Sequence, residues 1–251
     1  MLFHFSILFW SIAFFFGMWV VASDENIPFW SGYLSSLSIL SIISLVSAKR
    51  ITKRLRNSFV PLLLSFSAPS LLSLIDAPGE KFAFSLLSAS MFYVAFLALY
   101  RLRFAPTDRT ARSFLSIAAL AALFFFYSSA YGFYLNFSVP LASLVAVFAF
   151  GSFGAAYQTL YPILPKNRTR VALYSSVIAF SMGEISWMLS FWPFGYLTAG
   201  SAALGFFFML WDMAGSLFLG TLSRKRTIVY LIVVLALVGL LVGTSPWDIR
   251  A

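Results

Sequence analysis

The feature that most constrains this chain is an apolar run long enough to cross a bilayer, occurring nine times with only short connections between the runs. The runs lie near residues 4–22, 29–47, 59–76, 82–100, 113–134, 140–162, 171–190, 195–221 and 227–243. A helix rises 1.5 Å per residue, so about 20 residues cross a hydrocarbon core roughly 30 Å thick. The longest connection is the dozen residues from Arg101 to Arg112, too few to fold as a water-soluble domain. Of the 251 residues, 61% are hydrophobic and 10% charged, whereas soluble domains carry about 25% charged residues. So little polar surface cannot cover a water-facing globule. The expected fold class is therefore all-α: a polytopic transmembrane helix bundle of about nine helices, forming a single transmembrane domain over 1–251.

The charges give this segmentation a direction. Lys49, Arg50, Lys53, Arg54 and Arg56 follow the second run, and Arg101, Arg103, Arg109 and Arg112 follow the fourth, with Asp108 among them. Lys166, Arg168 and Arg170 follow the sixth, and Arg224, Lys225 and Arg226 the eighth. These four connections hold 15 of the 17 basic residues; only Lys81 and Arg250 lie elsewhere. Basic residues are retained on the cytoplasmic side. The even connections are thus expected inside, the amino terminus inside and the carboxyl terminus outside. Trp19, Trp30, Trp192 and Trp247 then fall at the outer interface, where indole rings settle, as do Asp24, Glu25, Asp76, Glu80 and Asp248. The net charge of +9 is accounted for by topology, which removes the case for nucleic acid. The bilayer is the expected partner, with anionic lipids at the basic cytosolic loops and a protein partner or homo-oligomer as further expectations. The expected location is the cell (inner, cytoplasmic) membrane.

The first run carries Val20-Val21-Ala22, which is similar to a cleavage site. It lacks a positive amino-terminal region and is long for a signal peptide, so it is read as a retained helix. A four-plus-one-plus-four inverted repeat is allowed by the topology, although no matching residues support it. Pro61 and Pro69 are expected to distort the third helix.

The chain has no cysteine and one histidine, His4. Disulfides, thiolate nucleophiles and thiolate metal sites are excluded, and no cofactor or metal is expected. His4 reads as an interfacial side chain. No Gly-x-x-x-x-Gly-Lys-Ser/Thr loop is present to bind ATP.

Two carboxylates lie well inside apolar runs: Glu184 in the seventh and Asp212 in the eighth. Such acids cost about 2.5–3.5 kcal/mol on insertion scales and usually face protein. On the seventh run Ala172, Ser176, Ala179, Gly183, Ser186 and Ser190 recur at helical spacing, a seam along which another helix can approach. Glu184 borders that seam, with Ser181 one turn before it and Trp187 one turn after. Thr198, Ser201, Gly205, Asp212 and Gly215 share a face of the eighth run. Both acids are therefore expected to point into protein, where burial without a counter-charge favours their neutral forms. Glu184, Asp212, Ser181 and Trp187 form the candidate proton, cation or substrate site; buried structural acids are an equal alternative. Ser31, Ser35, Ser38, Ser41 and Ser44 suggest a polar stripe, although serines of this kind more often serve packing. Tyr127, Tyr131 and Tyr134 share a face, as do Tyr157 and Tyr161 with Gln158 alongside. Gly239 and Gly243 form a GxxxG pair.

Glu184, Trp187, Phe191, Trp192 and Pro193 occur in a ten-residue run, 184–193, that resembles a stretch in uncharacterised polytopic membrane proteins of small-genome bacteria. The resemblance implies no activity and directs attention to the end of the seventh helix. Three function classes follow. A small secondary transporter or ion-conducting protein using Glu184 and Asp212 stands narrowly first. A non-catalytic membrane subunit or scaffold is second. An intramembrane enzyme acting on lipid or peptide is last, because Asp212 sits in Trp-Asp-Met rather than the Gly-x-Gly-Asp run of intramembrane aspartyl proteases.

Overall fold

A computed structural model of the chain describes residues 2–23, 29–52, 58–137, 139–164 and 167–244. These residues form nine helices and no strand: α1 (Leu2–Ser23), α2 (Phe29–Thr52), α3 (Phe59–Leu72), α4 (Pro78–Phe104), α5 (Arg109–Asn136), α6 (Leu141–Leu160), α7 (Arg168–Leu189), α8 (Tyr196–Phe218) and α9 (Arg224–Thr244). Six are long and apolar enough to cross a membrane: His4–Ala22, Pro78–Phe104, Arg109–Asn136, Leu141–Leu160, Arg168–Leu189 and Tyr196–Phe218. They fit a lipid environment and suggest a membrane protein. Asp24, Glu25, Lys53, Arg54, Arg56, Lys166, Trp247, Asp248 and Arg250 lie outside the described residues, as do the side chains of Trp30, Ser31 and Ser35.

Helix ends follow local chemistry. Pro78 opens α4 at a position where its missing amide proton has no helical partner. Asp108 caps α5, its Oδ1 accepting the amides of Thr110 at 2.9 Å and Ala111 at 3.2 Å. Gly220 closes α8 in the left-handed region, with φ 66°. Thr221 donates to the Ser216 carbonyl and Gly220 to that of Leu217, which satisfies two carbonyls of the last turn.

The chain divides into two compact units, residues 1–126 and 127–251, and the division falls within α5. In unit 1, His4 is edge-on to Tyr100 at 6.4 Å. The Arg50 guanidinium lies 5.8 Å over the Trp10 ring, and Arg103 Nη1 donates to the Ile51 carbonyl at 3.0 Å. The start of α1 and the ends of α2 and α4 therefore share one end of the unit, which is its basic end. At the other end Phe82, early in α4, meets Trp19, late in α1, at 5.6 Å. Because α2 finishes at one end and α4 begins at the other, α3 lies on the path that carries the chain from the one towards the other.

That helix is buried on nearly every side, from Val60 to Leu72. It has 14 residues, about 21 Å of rise, and ends at Leu72 rather than near residue 76. Pro61 does not distort it: the residue sits in the first turn, where the missing amide is tolerated. Pro69 lies inside the helix, one turn from its end, so α3 stops soon after it.

In unit 2, α6 and α7 make the most extensive helix pair, and α7, α8 and α9 follow as successive neighbours. Tyr174 near the start of α7 meets Phe218 at the end of α8, ring centroids 4.8 Å apart, which fixes the two as antiparallel. An inverted repeat would pair α6 with α9 as α1 pairs with α4. The α1–α4 contact is extensive, whereas α6 makes no comparable contact with α9 among the described residues.

Candidate functional site

The acids of α7 and α8 are best understood from the faces of their helices. On α7 the buried residues are Val171, Ser175, Ile178, Ala179, Met182, Gly183, Ser186 and Leu189, a single stripe at helical spacing. Gly183 is pressed on α6: a Cβ there would stand 3.3 Å from Val145 Cγ1 and 3.8 Å from Ala149 Cβ. The inner part of the expected small-residue seam thus packs against α6, while Ala172, Ser176 and Ser190 are half-buried.

Glu184 does not join it. It is exposed, contrary to the expectation that it points into protein. One residue past Gly183 is a rotation of about 100°, enough to carry the carboxylate from the seam to the open side. There it stands in a stripe with Leu173, Val177, Phe180 and Trp187, continued by Phe191 past the helix end; Phe180 is 77%, Trp187 54% and Phe191 71% exposed. Ser181 is half-buried on the flank.

The α8 face is also rotated from expectation. Ala199, Gly200, Ala202, Ala203, Phe207, Ala214, Gly215 and Ser216 are buried, whereas Ser201 is exposed and Thr198, Gly205 and Asp212 are half-buried. Alanine is as small as serine and loses no hydration when covered, so it takes the contact. Next to Asp212, Trp211 donates its indole N–H to Thr159 Oγ1 on α6 at 2.8 Å. The Tyr174–Phe218 contact sets the register of the hairpin, placing Asp212 about level with Phe180 and roughly one turn, about 6 Å, nearer the basic end than Glu184. The structure therefore brings the four candidates to neighbouring levels of one hairpin, but it does not turn them towards a common pocket. No group of three acidic or histidine side chains that could hold a metal occurs among the described residues.

The buried polar centre of unit 2 lies elsewhere, around two tyrosines of α5. Tyr127 stacks on Phe148 of α6 at 4.4 Å, and its hydroxyl shares a hydrogen bond with Ser152 Oγ at 2.7 Å. Tyr131 sets its edge against the same Phe148 at 5.1 Å and donates to the Ser186 carbonyl of α7 at 2.7 Å. These contacts tie three helices together, so the phenols serve packing; Tyr134 is half-buried. Tyr127→Phe or Tyr131→Phe should each cost about 0.6 kcal/mol, the mean for hydrogen bonds between membrane helices, and at most about 1.7 kcal/mol. Thermal loss of the helical circular dichroism signal in detergent would measure it, and unchanged melting of both variants would show that the hydroxyls carry no stability.

The remaining candidates separate. Ser38 is exposed and Ser44 buried, so the described α2 serines wind around the helix rather than line one path; the Ser41 and Ser44 hydroxyls meet no partner among the described residues. Tyr157 and Tyr161 stack at 6.1 Å, with Gln158 buried beside them. Gly239 and Gly243 have no described atom within 4 Å of a built Cβ, so this GxxxG pair meets no described neighbour. The close approach that was not foreseen is at Gly200, where a Cβ would come within 2.8 Å of the Ser128 backbone nitrogen of α5. Its only sign in the sequence is a glycine set among alanines.

Over residues 33–244 the chain matches the family described as "Protein of unknown function (DUF5656)", and it belongs to that family. No curated protein matches it, and no solved structure does.

Proposed function

We propose that this member of the family is a multi-pass protein of the cytoplasmic membrane that serves as a non-catalytic subunit of a larger membrane assembly, its partner seated on the exposed face of α7. The observation that supports this is Glu184: a carboxylate standing open in the middle of an apolar stripe on a helix fit to cross a bilayer. Lipid tails offer it no hydrogen bond, whereas a partner helix presenting a cation or donor does. A second copy of this chain is poorly suited, because its own Lys and Arg residues stand at helix ends or in connections. The occupant is therefore a membrane-spanning helix of a different protein, carrying a basic or donor group opposite Glu184.

A photo-crosslinking residue in place of Phe180, activated in native membranes, tests this. The expected product is heavier than the chain by the mass of one partner, and it is lost when Glu184→Gln is added. A product of twice the chain mass would replace the proposal with a homo-oligomer. Lipid adducts alone would end the subunit reading.

Asp212 favours a second reading, proton- or cation-coupled transport, because it is a carboxylate half-buried within a candidate span. On that reading Asp212→Asn folds normally and abolishes proton-coupled flux in liposomes. Flux equal to wild type would remove it.

The proposed topology has nine spans, the amino terminus inside and the carboxyl terminus outside, with the basic connections in the cytosol beside anionic lipid. Because the chain lacks cysteine, an engineered one is a unique label. A membrane-impermeant maleimide should label Lys81→Cys in intact cells, and Lys49→Cys only after lysis. The reverse pattern would invert the topology, and equal labelling of both would overturn the alternation.

A further inference from the structure

We infer that a recess at the basic end of unit 2 binds an anionic phospholipid, with the lipid phosphate at Arg170 and an acyl chain against α7 and α8. The recess has a volume of about 420 Å³ and is lined by Leu164, Arg170, Leu173, Tyr174, Leu217 and Phe218. Its walls come from three places: the turn after α6, the first turns of α7 and the last turn of α8. Asn167 fixes the start of α7, its side-chain oxygen accepting the Arg170 amide at 3.2 Å. The Tyr174 ring stands edge-on to Phe218 at 4.8 Å, which gives the recess a rigid aromatic wall. Leu173 and Leu217 are exposed and extend its apolar surface outwards along the helices.

The lining has two chemical parts, and one ligand class uses both. Arg170 is exposed, and no carboxylate among the described residues pairs with it. Arg168 lies 6.0 Å over the Tyr161 ring next to it, and α7 begins here, so the positive end of its dipole adds to the same field. Asp212 is more than a turn further along α8 and does not line the recess. A guanidinium suits a phosphate oxygen pair, while the apolar walls suit a hydrocarbon chain and do nothing for a free anion. A phospholipid of negative charge supplies both, and it is abundant at this depth if the helices lie in a membrane. The inference rests on the membrane reading; Leu173 belongs both to the recess and to the exposed stripe of α7, whereas Arg170 and Leu217, which the test changes, belong to the recess alone.

The test is native mass spectrometry of the purified full chain in detergent, with phosphatidylglycerol or phosphatidylcholine of matched acyl chains. Wild type should retain phosphatidylglycerol in preference. Arg170→Gln should weaken that retention by roughly five- to tenfold, and Arg170→Lys should keep most of it. Arg112→Gln, which removes the same charge from unit 1, should change it by less than about twofold. Leu217→Trp, which fills the recess, should reduce retention of both lipids. Equal retention by wild type and Arg170→Gln, or no preference between the two lipids, would overturn the site. Displacement of the lipid by inorganic phosphate at matched concentration would show a soluble-anion site instead and overturn the lipid assignment. Each variant is first checked for wild-type melting. Failure here leaves the α7 crosslink untouched, so the two ideas fail separately.

Discussion

Replacing Gly200 with leucine is expected to leave no stably folded unit 2, and alanine is expected to cost about 1–3 kcal/mol, the range for overpacking a close contact. The reason is what the new carbon meets. A Cβ on Gly200 would lie 2.8 Å from the Ser128 backbone nitrogen and 2.9 Å from its Cα. Backbone in the middle of α5 cannot rotate away as a side-chain tip can, so α8 as a whole must move. That displacement would disturb Phe207, buried further along α8 and 6.5 Å from the Tyr127 ring. Gly183 is a milder case, since its nearest neighbour is the Val145 side chain at 3.3 Å. Gly239→Ala and Gly243→Ala are the controls: with no described atom within 4 Å of a Cβ at either, the better helix former should be neutral or gain up to about 1 kcal/mol. Melting of all four alanine variants in one detergent reads the series. Gly200→Ala melting with wild type would mean that α5 and α8 do not approach as closely as described.

The same contrast shows how far the chain could be read without coordinates. Helix positions were legible because long apolar runs favour helices: each of the nine runs overlaps one helix, six of the helices being long and apolar enough to cross a membrane, and the caps at Asp108 and Asn167 fall where polar residues break the runs. Side-chain orientation was much less legible. In water, polarity marks the exposed face of a helix; in lipid both faces are apolar, so periodicity loses its meaning. Gly183 and Glu184 are adjacent in sequence, one packed on α6 and the other open, and only the contact partner tells them apart. On α8 the polar small residues marked a face, but the alanines take the buried one. The division into two units was hidden for a related reason: it falls inside the continuous helix α5, where no Gly-, Pro- or Ser-rich linker marks it. The recess at Arg170 draws on residues from three places in the chain, none forming a motif.

Glu184→Leu should act in opposite directions on the chain and on its assembly. Leucine is favourable in a membrane helix and an acidic side chain is not. The difference reaches about 3–4 kcal/mol for an Asp-like acid at a helix centre and is smaller for Glu184, which lies five residues, about 7.5 Å, from the end of α7. Because Glu184 is exposed, the substitution removes no internal contact that the structure shows, and the purified variant should melt at or above wild type in nanodiscs. In native membranes the same change deletes the one carboxylate of the Phe180–Trp187 stripe, so the crosslink from Phe180 to its partner should be lost. A merely structural acid predicts another pattern: an internal hydrogen bond would be broken and the isolated variant would melt lower. A transport residue predicts a third, with stability and crosslink unchanged and flux abolished. Melting temperature, crosslink and flux, measured on this one substitution, therefore separate the three roles, and a lower melting temperature with an intact crosslink would sink the reading of α7 as a partner-binding face.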